Sequence, residues 1–112
     1  MNDRKLTELA AKAMGYFDLG GWDERRQCFW NGEGWSFEPL SNNGDAFSLA
    51  VARNIKVEQD EKEGRAIATY HNDGWAAIEP HGDDPEKATR RAIVIAVAYQ
   101  YLSETQSPKG GA

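Results

Sequence analysis

The stretch at residues 82–102, GDDPEKATRRAIVIAVAYQYL, decides the fold of this 112-residue chain. Pro85 suits the first position of a helix, because its missing N–H is not needed there and its φ already fits. Asp84 then falls at the N-cap, where its carboxylate can accept from a backbone N–H. The apolar residues that follow are Ala88, Ala92, Ile93, Val94, Ile95, Val97, Ala98, Tyr99 and Leu102. They surround most of the helix, which predicts a central helix packed on a sheet and overlaid by another element.

Composition describes an ordinary globular chain. Hydrophobic residues make up 40% and charged residues 28% of the sequence. The formal net charge of -5 argues against direct binding to nucleic acid or to an anionic membrane. The length predicts a single domain over residues 1–104, followed by a polar, glycine-rich and flexible tail at residues 105–112.

Three features predict a cytoplasmic location. Cys28 is the single cysteine, so an internal disulfide is excluded and a reducing compartment is expected. No apolar run approaches the roughly 18–20 residues of a membrane-spanning helix. The first residues lack the unbroken apolar stretch of a signal peptide.

The first third of the chain predicts a helix and a hairpin. Residues 4–14 are amphipathic, with Asn2 or Asp3 as the cap and Gly15 as the stop. The pair at residues 20–21, Gly-Gly, is typical of a loose connection. Residues 27–38 show two aromatic runs around NGEG, which predicts a β-hairpin with Trp30 and Trp35 as near cross-strand neighbours.

Residues 41–54 predict a loop and a short second helix. Asn43 or Asp45 is the expected cap, and Asn54 can take the left-handed conformation that ends a helix. The residues expected to face inward are Ala46, Phe47, Ala50 and Val51.

Three further strands are expected between this helix and the last one. Alternation begins at Ile55, a charged turn follows at residues 60–64, and residues 65–80 form a second hairpin with a turn at Asp73-Gly74 and an end at Pro80. The predicted order is α-β-β-α-β-β-β-α. We therefore expect an α+β fold, an αβα sandwich-like arrangement in which helices pack against an antiparallel sheet of about five strands, two hairpins plus a strand.

Three segments carry a family resemblance. They are LAAKAMGY at residues 9–16, PLSNNGDAFSLAVARNIKV at residues 39–57 and HGDDPEKATRRAIVIAVAYQYL at residues 81–102. Together they resemble small bacteriophage and prophage proteins of the ABA-sandwich, NinX-like type. The motif at the last helix consists of Asp83, Asp84, Pro85, Arg90 and Arg91. The resemblance implies a phage or prophage origin and an αβα sandwich, and it implies no established activity.

Motifs for catalysis or metal binding are weak. Asp83 and Asp84 with Asp73 or Glu79 would suit a hard cation, but a helix cap explains the pair better. His71, His81 and Cys28 match no zinc spacing, and either histidine fits a solvated or core-edge position better than a general base. The sequence contains no phosphate loop and no G-x-S-x-G elbow. We therefore expect no catalytic activity, no cofactor and no bound metal.

The tryptophans and the Arg90-Arg91 pair each have two interpretations. Trp22, Trp30, Trp35 and Trp75 suit either stacking platforms or core positions, and the core is favoured, with Trp22 the one expected to be partly exposed. The two arginines suit either a phosphate or local contacts. We favour ion pairs with the acidic residues near the helix start, or an interaction with a neighbouring loop.

An acidic cluster gives the candidate partner site. Its members are Glu58, Asp60, Glu61 and Glu63. Such a cluster is usually a solvated turn, but it also suits a basic partner through charge complementarity. The favoured function is a non-enzymatic phage accessory protein that binds a host or phage protein. Self-association is plausible if the last helix has spare apolar surface. The alternative is a small metal-dependent enzyme that uses the carboxylates around Asp83.

Overall fold

The computed structural model describes residues 1–32, 34–70 and 75–106. Within these ranges the elements, in chain order, are α1 (Asp3–Ala13), β1 (Gly21–Asp23), β2 (Cys28–Trp30), β3 (Ser36–Phe37), α2 (Asn43–Ala52), β4 (Ile55–Asp60), β5 (Arg65–Tyr70), β6 (Ala76–Pro80) and α3 (Pro85–Gln106). Across the described chain the strands form two antiparallel sheets. Sheet A has the order β1-β2-β3, and sheet B has the order β4-β5-β6. The predicted α+β class is confirmed.

The single sheet of about five strands is wrong, because β1 adds a strand before α2 and forms sheet A with its neighbours. Gly21 pairs with Trp30, and Trp22 pairs with Phe29. The preceding Gly20 has φ +73°, and a Cβ there would overlap the carbonyl oxygen of Trp30. Gly20 therefore lets two backbones come close together, and the loose connection expected at this point is replaced by a strand that begins at Gly21. The observed order is α-β-β-β-α-β-β-β-α.

The last helix is central, as predicted. Val94 and Val97 are fully buried, and Ile93 is nearly so. α3 contacts all three strands of sheet B and both other helices. Asp84 caps it as expected, since its Oδ1 accepts from the backbone N–H of Lys87 at 3.0 Å. Among the other large apolar side chains of α3, Ile95, Tyr101 and Leu102 are partly buried and Tyr99 is exposed. Self-association through this helix stays a prediction.

Alanine fills much of the interface between the helices and sheet B. The fully buried alanines are Ala10, Ala11, Ala66, Ala68, Ala92, Ala96 and Ala98. They come from α1, β5 and α3, which meet one another in the core. Such short side chains let the backbones of two helices and a strand approach closely. The core around α3 is therefore built from many short side chains, together with larger ones such as Leu49, Val94 and Val97.

Helices cover one face of sheet B. Along β5, Ala66, Ala68 and Tyr70 are buried, whereas the intervening residues are partly exposed. Ile78 of β6 pairs with Ile67 on this second face and is itself exposed. The αβα sandwich is thus corrected, for the described residues, to one helical layer on one sheet, because the second face carries too few apolar residues to hold another helix.

Some predictions lie partly or wholly outside the described residues. His71 and the Asp73-Gly74 turn are in the gap before Trp75. The predicted tail at residues 105–112 begins within α3, which continues to Gln106, and its remainder is not described. None of the helices in the described ranges is long and apolar enough to cross a membrane.

Candidate functional site

A groove of about 1150 Å³ lies between α2 and β4, with the first half of α3 as its floor. The chain order creates it. α2 runs beside α3 in the same direction, because Asn43 at its start bonds to Arg90 and Arg53 after its end bonds to Gln100. The chain then turns at Asn54, and β4 runs back beneath α2. The helix and the strand thus form two walls that meet at this turn.

The turn closes one end of the groove. Asn54 has φ +59°, so it reverses the chain in the left-handed conformation expected from the sequence. Arg53 fixes this end, because its Nε donates to Gln100 Oε1 at 2.9 Å and its Nη2 pairs with Glu104 Oε1 at 2.6 Å. The amide of Gln100 donates back to the Arg53 carbonyl at 3.2 Å. α2 is therefore held firmly against α3 where the groove narrows.

Apolar side chains of α2 line the groove instead of the core. Phe47 is 69% exposed and Val51 is 64% exposed, although the sequence predicts both to face inward. The buried side is made by Ala46 and Leu49, which pack against the core. α2 carries apolar residues on two sides, so the sequence alone cannot choose the side that faces α3. Across the groove from Phe47 and Val51, Val57 of β4 is also exposed.

The start of α2 also differs from the prediction. Asn42 is the N-cap, since its Oδ1 accepts from the backbone N–H of Asp45 at 2.9 Å. Asp45 instead accepts from the backbone N–H of Glu38 at 2.9 Å. Asn43 bonds to α3, where its Nδ2 donates to Glu86 Oε1 at 3.1 Å. Asn43 and Asp45, the expected caps, thus bond the start of α2 to its neighbours, while Asn42 accepts the hydrogen bond from the first turn of the helix.

Polar side chains fix the open end of the groove. His81 Nε2 lies 2.7 Å from Gln59 Oε1, which accepts the hydrogen bond. Gln59 Nε2 donates to Thr89 Oγ1 at 2.8 Å, and that hydroxyl donates to the Pro85 carbonyl at 2.7 Å. These three hydrogen bonds tie β4 to the first turns of α3. His81 is thus a structural residue at the rim, in keeping with the expected core-edge position.

The charge at the open end is acidic. Glu61 and Glu86 line it, and neither forms an ion pair with another described residue. Arg90 also lines the groove, but its Nε donates to the Leu40 carbonyl at 2.9 Å and its Nη1 to Asn43 Oδ1 at 2.7 Å. The rim therefore offers carboxylates to an incoming group, while its arginine is held by the protein.

The four acidic residues of the predicted partner site do not share one surface. Glu61 lines the groove, whereas Glu58 faces the other side of sheet B, where its Oε2 lies 3.8 Å from Lys56 Nζ. Asp60 Oδ1 accepts from the backbone N–H of Glu63 at 3.1 Å, which is the main reason that the pKa of Asp60 is lowered. Asp60 also pairs with Arg65 Nε at 3.0 Å. This cluster therefore closes a turn, and only Glu61 of its members lines the groove.

Arg90 and Arg91 both make structural contacts, but only some of their partners are the expected ones. Arg90 binds the neighbouring loop through the Leu40 carbonyl, as the second part of that interpretation predicts. Arg91 pairs with Asp3 of α1, with 2.6 Å between Nη1 and Oδ1, and with Glu79 of β6, with 3.6 Å between Nε and Oε1. Ion pairs with the acidic residues at the helix start are wrong, because both side chains reach sideways to other elements.

The carboxylates proposed as a cation site have other roles or lie apart. Asp84 caps α3, and Glu79 pairs with Arg91. Asp83 is exposed, and Asp73 lies outside the described residues. In the described part of the chain, no three His, Cys, Asp or Glu side chains approach closely enough to hold a metal ion.

The aromatic residues of sheet A only partly match the core interpretation. Trp30 pairs with Ser36 instead of standing near Trp35, and it is 44% exposed, with Arg26 5.7 Å from its ring centre. Trp22 packs against Phe29 and is partly exposed, as expected, although Trp30 is more exposed. β3 begins at Ser36, so Ser36 and not Trp35 is the residue opposite Trp30.

Cys28 is fully buried beside this sheet. Burial raises the pKa of its thiol, and the nearby carboxylates of Glu38 and Asp23 raise it further, against the opposing charge of Arg26. A buried thiol with a raised pKa is a poor nucleophile and a poor metal ligand. Cys28 is therefore a core residue of sheet A.

Comparisons with protein-family models, with curated proteins and with solved structures gave no match to this chain. The resemblance to small phage proteins therefore stays a prediction that rests on the quoted motifs. The groove between α2 and β4 is thus argued from its own geometry.

Proposed function

We propose that this chain is a protein-binding module whose groove between α2 and β4 accepts a segment of a partner protein. The observation that carries this proposal is the row of exposed apolar side chains, Phe47, Val51 and Val57, along one groove. A large apolar side chain that stays in water adds little to the stability of the fold, and a row of such side chains in one groove is typical of a binding surface. The proposal commits to an occupant that offers apolar side chains to these three residues.

Charge at the open end refines the description of this occupant. Glu61 and Glu86 leave carboxylate oxygens free of ion pairs within the described chain. A lysine or arginine of the partner, placed after the apolar side chains, would complement them. Charge pairs of this kind raise the encounter rate and fix the direction in which a segment lies. Of the predicted acidic residues, this proposal uses Glu61 alone.

A random peptide library tests the proposal without knowledge of the partner. Sixteen-residue peptides displayed on their messenger RNA are selected on the full chain, and their affinities are measured by fluorescence polarisation. We expect peptides with apolar residues and a lysine or arginine, and a loss of affinity of at least about tenfold on Phe47→Asp or Glu61→Lys.

Phe17→Asp is the matched control, because Phe17 is 70% exposed, like Phe47, and lies outside the groove. This control should bind the selected peptides within about twofold of the unchanged chain. Peptides that bind equally to the Phe47→Asp and Phe17→Asp variants would overturn the proposal. A selection that yields no peptide above background would overturn it as well.

The biological setting proposed for this activity is that of a phage or prophage accessory protein in the host cytoplasm, acting on a host or phage protein. Its support is the family resemblance of residues 39–57 and 81–102. Within the described residues no observation favours the alternative, a metal-dependent enzyme around Asp83, since Asp84 and Glu79 are bonded elsewhere.

A further inference from the structure

We infer that the partner segment binds as an extended strand that pairs with the free edge of β4 and extends sheet B to four strands. This inference rests on the proposed function and states its mode of binding. A groove alone would accept a helix or a strand. The choice between them depends on the backbone of β4 and on the position of α2.

β4 has an open edge that can pair with another strand. The strand pairs with β5 through six successive residues, from Ile55 opposite Tyr70 to Asp60 opposite Arg65, without a bulge. It is the outer strand of sheet B, and no other described strand pairs with it. An edge strand points alternate N–H and C=O groups away from its neighbour, and a regular edge of this kind is a template for another strand.

α2 carries an exposed apolar stripe formed by Phe47 and Val51. Phe47 and Val51 are four residues apart, so they lie on one face of α2, and both line the same groove as Val57 of β4. A strand added at the edge of β4 would lie under this stripe, as β5 lies under α3. Alternate side chains of the added strand would then be covered on one face. The exposed stripe is therefore placed to cover a strand that the described part of the chain does not supply.

The ends of the groove set the direction of the added strand. Asn54 closes the groove where β4 begins, and Glu61 follows the end of β4 at the open rim. An added strand thus enters at the acidic end, where its lysine or arginine meets Glu61 and Glu86. Main-chain bonds would supply affinity that depends little on sequence, and the groove would select alternate apolar side chains.

Hydrogen exchange at single amides tests this mode. The full chain labelled with ¹⁵N is measured alone and with a peptide selected as above. We expect the amides of every second residue in Ile55–Asp60, those turned away from β5, to exchange at least about tenfold more slowly in the complex. Methylation of single peptide nitrogens should weaken binding at alternate positions and leave the intervening positions within about twofold.

The other occupants give different results. A groove-dependent peptide that leaves every β4 amide unchanged would show binding as a helix, and it would overturn this inference while the proposed function stands. Alternate protection in the free chain, together with a dimeric mass by light scattering, would show that a second copy covers the edge and would also overturn the inference. Failure to select any groove-dependent peptide would overturn both proposals.

Discussion

Arg91 of α3 pairs with Asp3 of α1 at 2.6 Å between Nη1 and Oδ1, although the two residues are 88 positions apart in the sequence. The same arginine reaches Glu79 of β6. One side chain therefore joins the first helix, the last strand and the last helix. It acts where α1 begins, while Arg53 Nη1 donates to the Ala13 carbonyl at 3.4 Å where α1 ends.

A double-mutant cycle measures this link. Asp3→Asn and Arg91→Gln, each followed by urea unfolding, should show a coupling free energy of about 0.5–1 kcal/mol, because both side chains are partly exposed and solvent screens the pair. The control is the Lys56–Glu58 pair, which is longer at 3.8 Å and more exposed, and its coupling should be close to zero. Strictly additive effects of Asp3→Asn and Arg91→Gln would contradict the prediction.

Leu49 and Phe47 test which side of α2 faces the core. Leu49 is fully buried, so Leu49→Ala should lower the free energy of unfolding by about 2–5 kcal/mol. Phe47 is mostly exposed, and Phe47→Ala should change it by less than about 0.5 kcal/mol. Chemical denaturation of both variants measures the difference. A larger loss at Phe47 than at Leu49 would show that the helix is turned the other way.

Gly20 tests the close approach that creates β1. A Cβ at this position would meet the backbone of Trp30, and the residue has φ +73°. Gly20→Ala should therefore cost about 1–3 kcal/mol or more. Gly15 has φ +84° but open space around it, so Gly15→Ala isolates the cost of the left-handed conformation, about 1 kcal/mol. Equal losses of thermal stability in the two variants would argue against the contact with Trp30.

Asp60 predicts part of the acid sensitivity of the chain. Its pKa is lowered, mainly because it accepts from the backbone N–H of Glu63. Between the lowered pKa of the folded state and the unfolded pKa of about 3.9, the unfolded state binds more protons than the folded state. The contribution of Asp60 to the free energy of unfolding is therefore present above the unfolded pKa and is lost as the pH falls. Urea unfolding between about pH 6 and pH 3 should show a shallower fall for Asp60→Asn than for the unchanged chain.

The control for this pH series is Glu61→Gln, which removes a carboxylate of the same turn that accepts no hydrogen bond in the described structure. In Glu61→Gln the free energy of unfolding should fall more steeply with decreasing pH than it does in Asp60→Asn. An acid limb that is the same in the unchanged chain and in Asp60→Asn would contradict the assignment.

The sequence predicts best the elements whose ends are set by local chemistry. Asp84 followed by Pro85 starts α3 as expected, and Asn54 ends α2 in the left-handed conformation. The burial of Ile93, Val94 and Val97 also follows from the sequence, because a helix that is apolar on nearly every side has little freedom in how it packs.

What the sequence could not predict depends on contacts between distant elements. The side of α2 that faces α3 is set by the Arg90 and Arg53 bonds to its neighbours, and these join residues about 47 positions apart. The groove follows from that choice, so Phe47 and Val51 could not be recognised as its lining. β1 was missed because a glycine pair gives the same sequence signal for a loose connection and for two backbones in contact.

The alanines around α3 determine which sequence changes the fold tolerates. Ala10, Ala92 and Ala96 are fully buried in the core, and a close-packed interior leaves little room for a further methyl group. In most small domains the most destabilising substitutions remove atoms from the core. In this fold, substitutions that enlarge a side chain should be more destabilising, since a valine or leucine at one of these positions would push α1 or sheet B away from α3. Natural variation of this chain should therefore avoid gains in volume along that interface and collect on the groove and the outer face of sheet B.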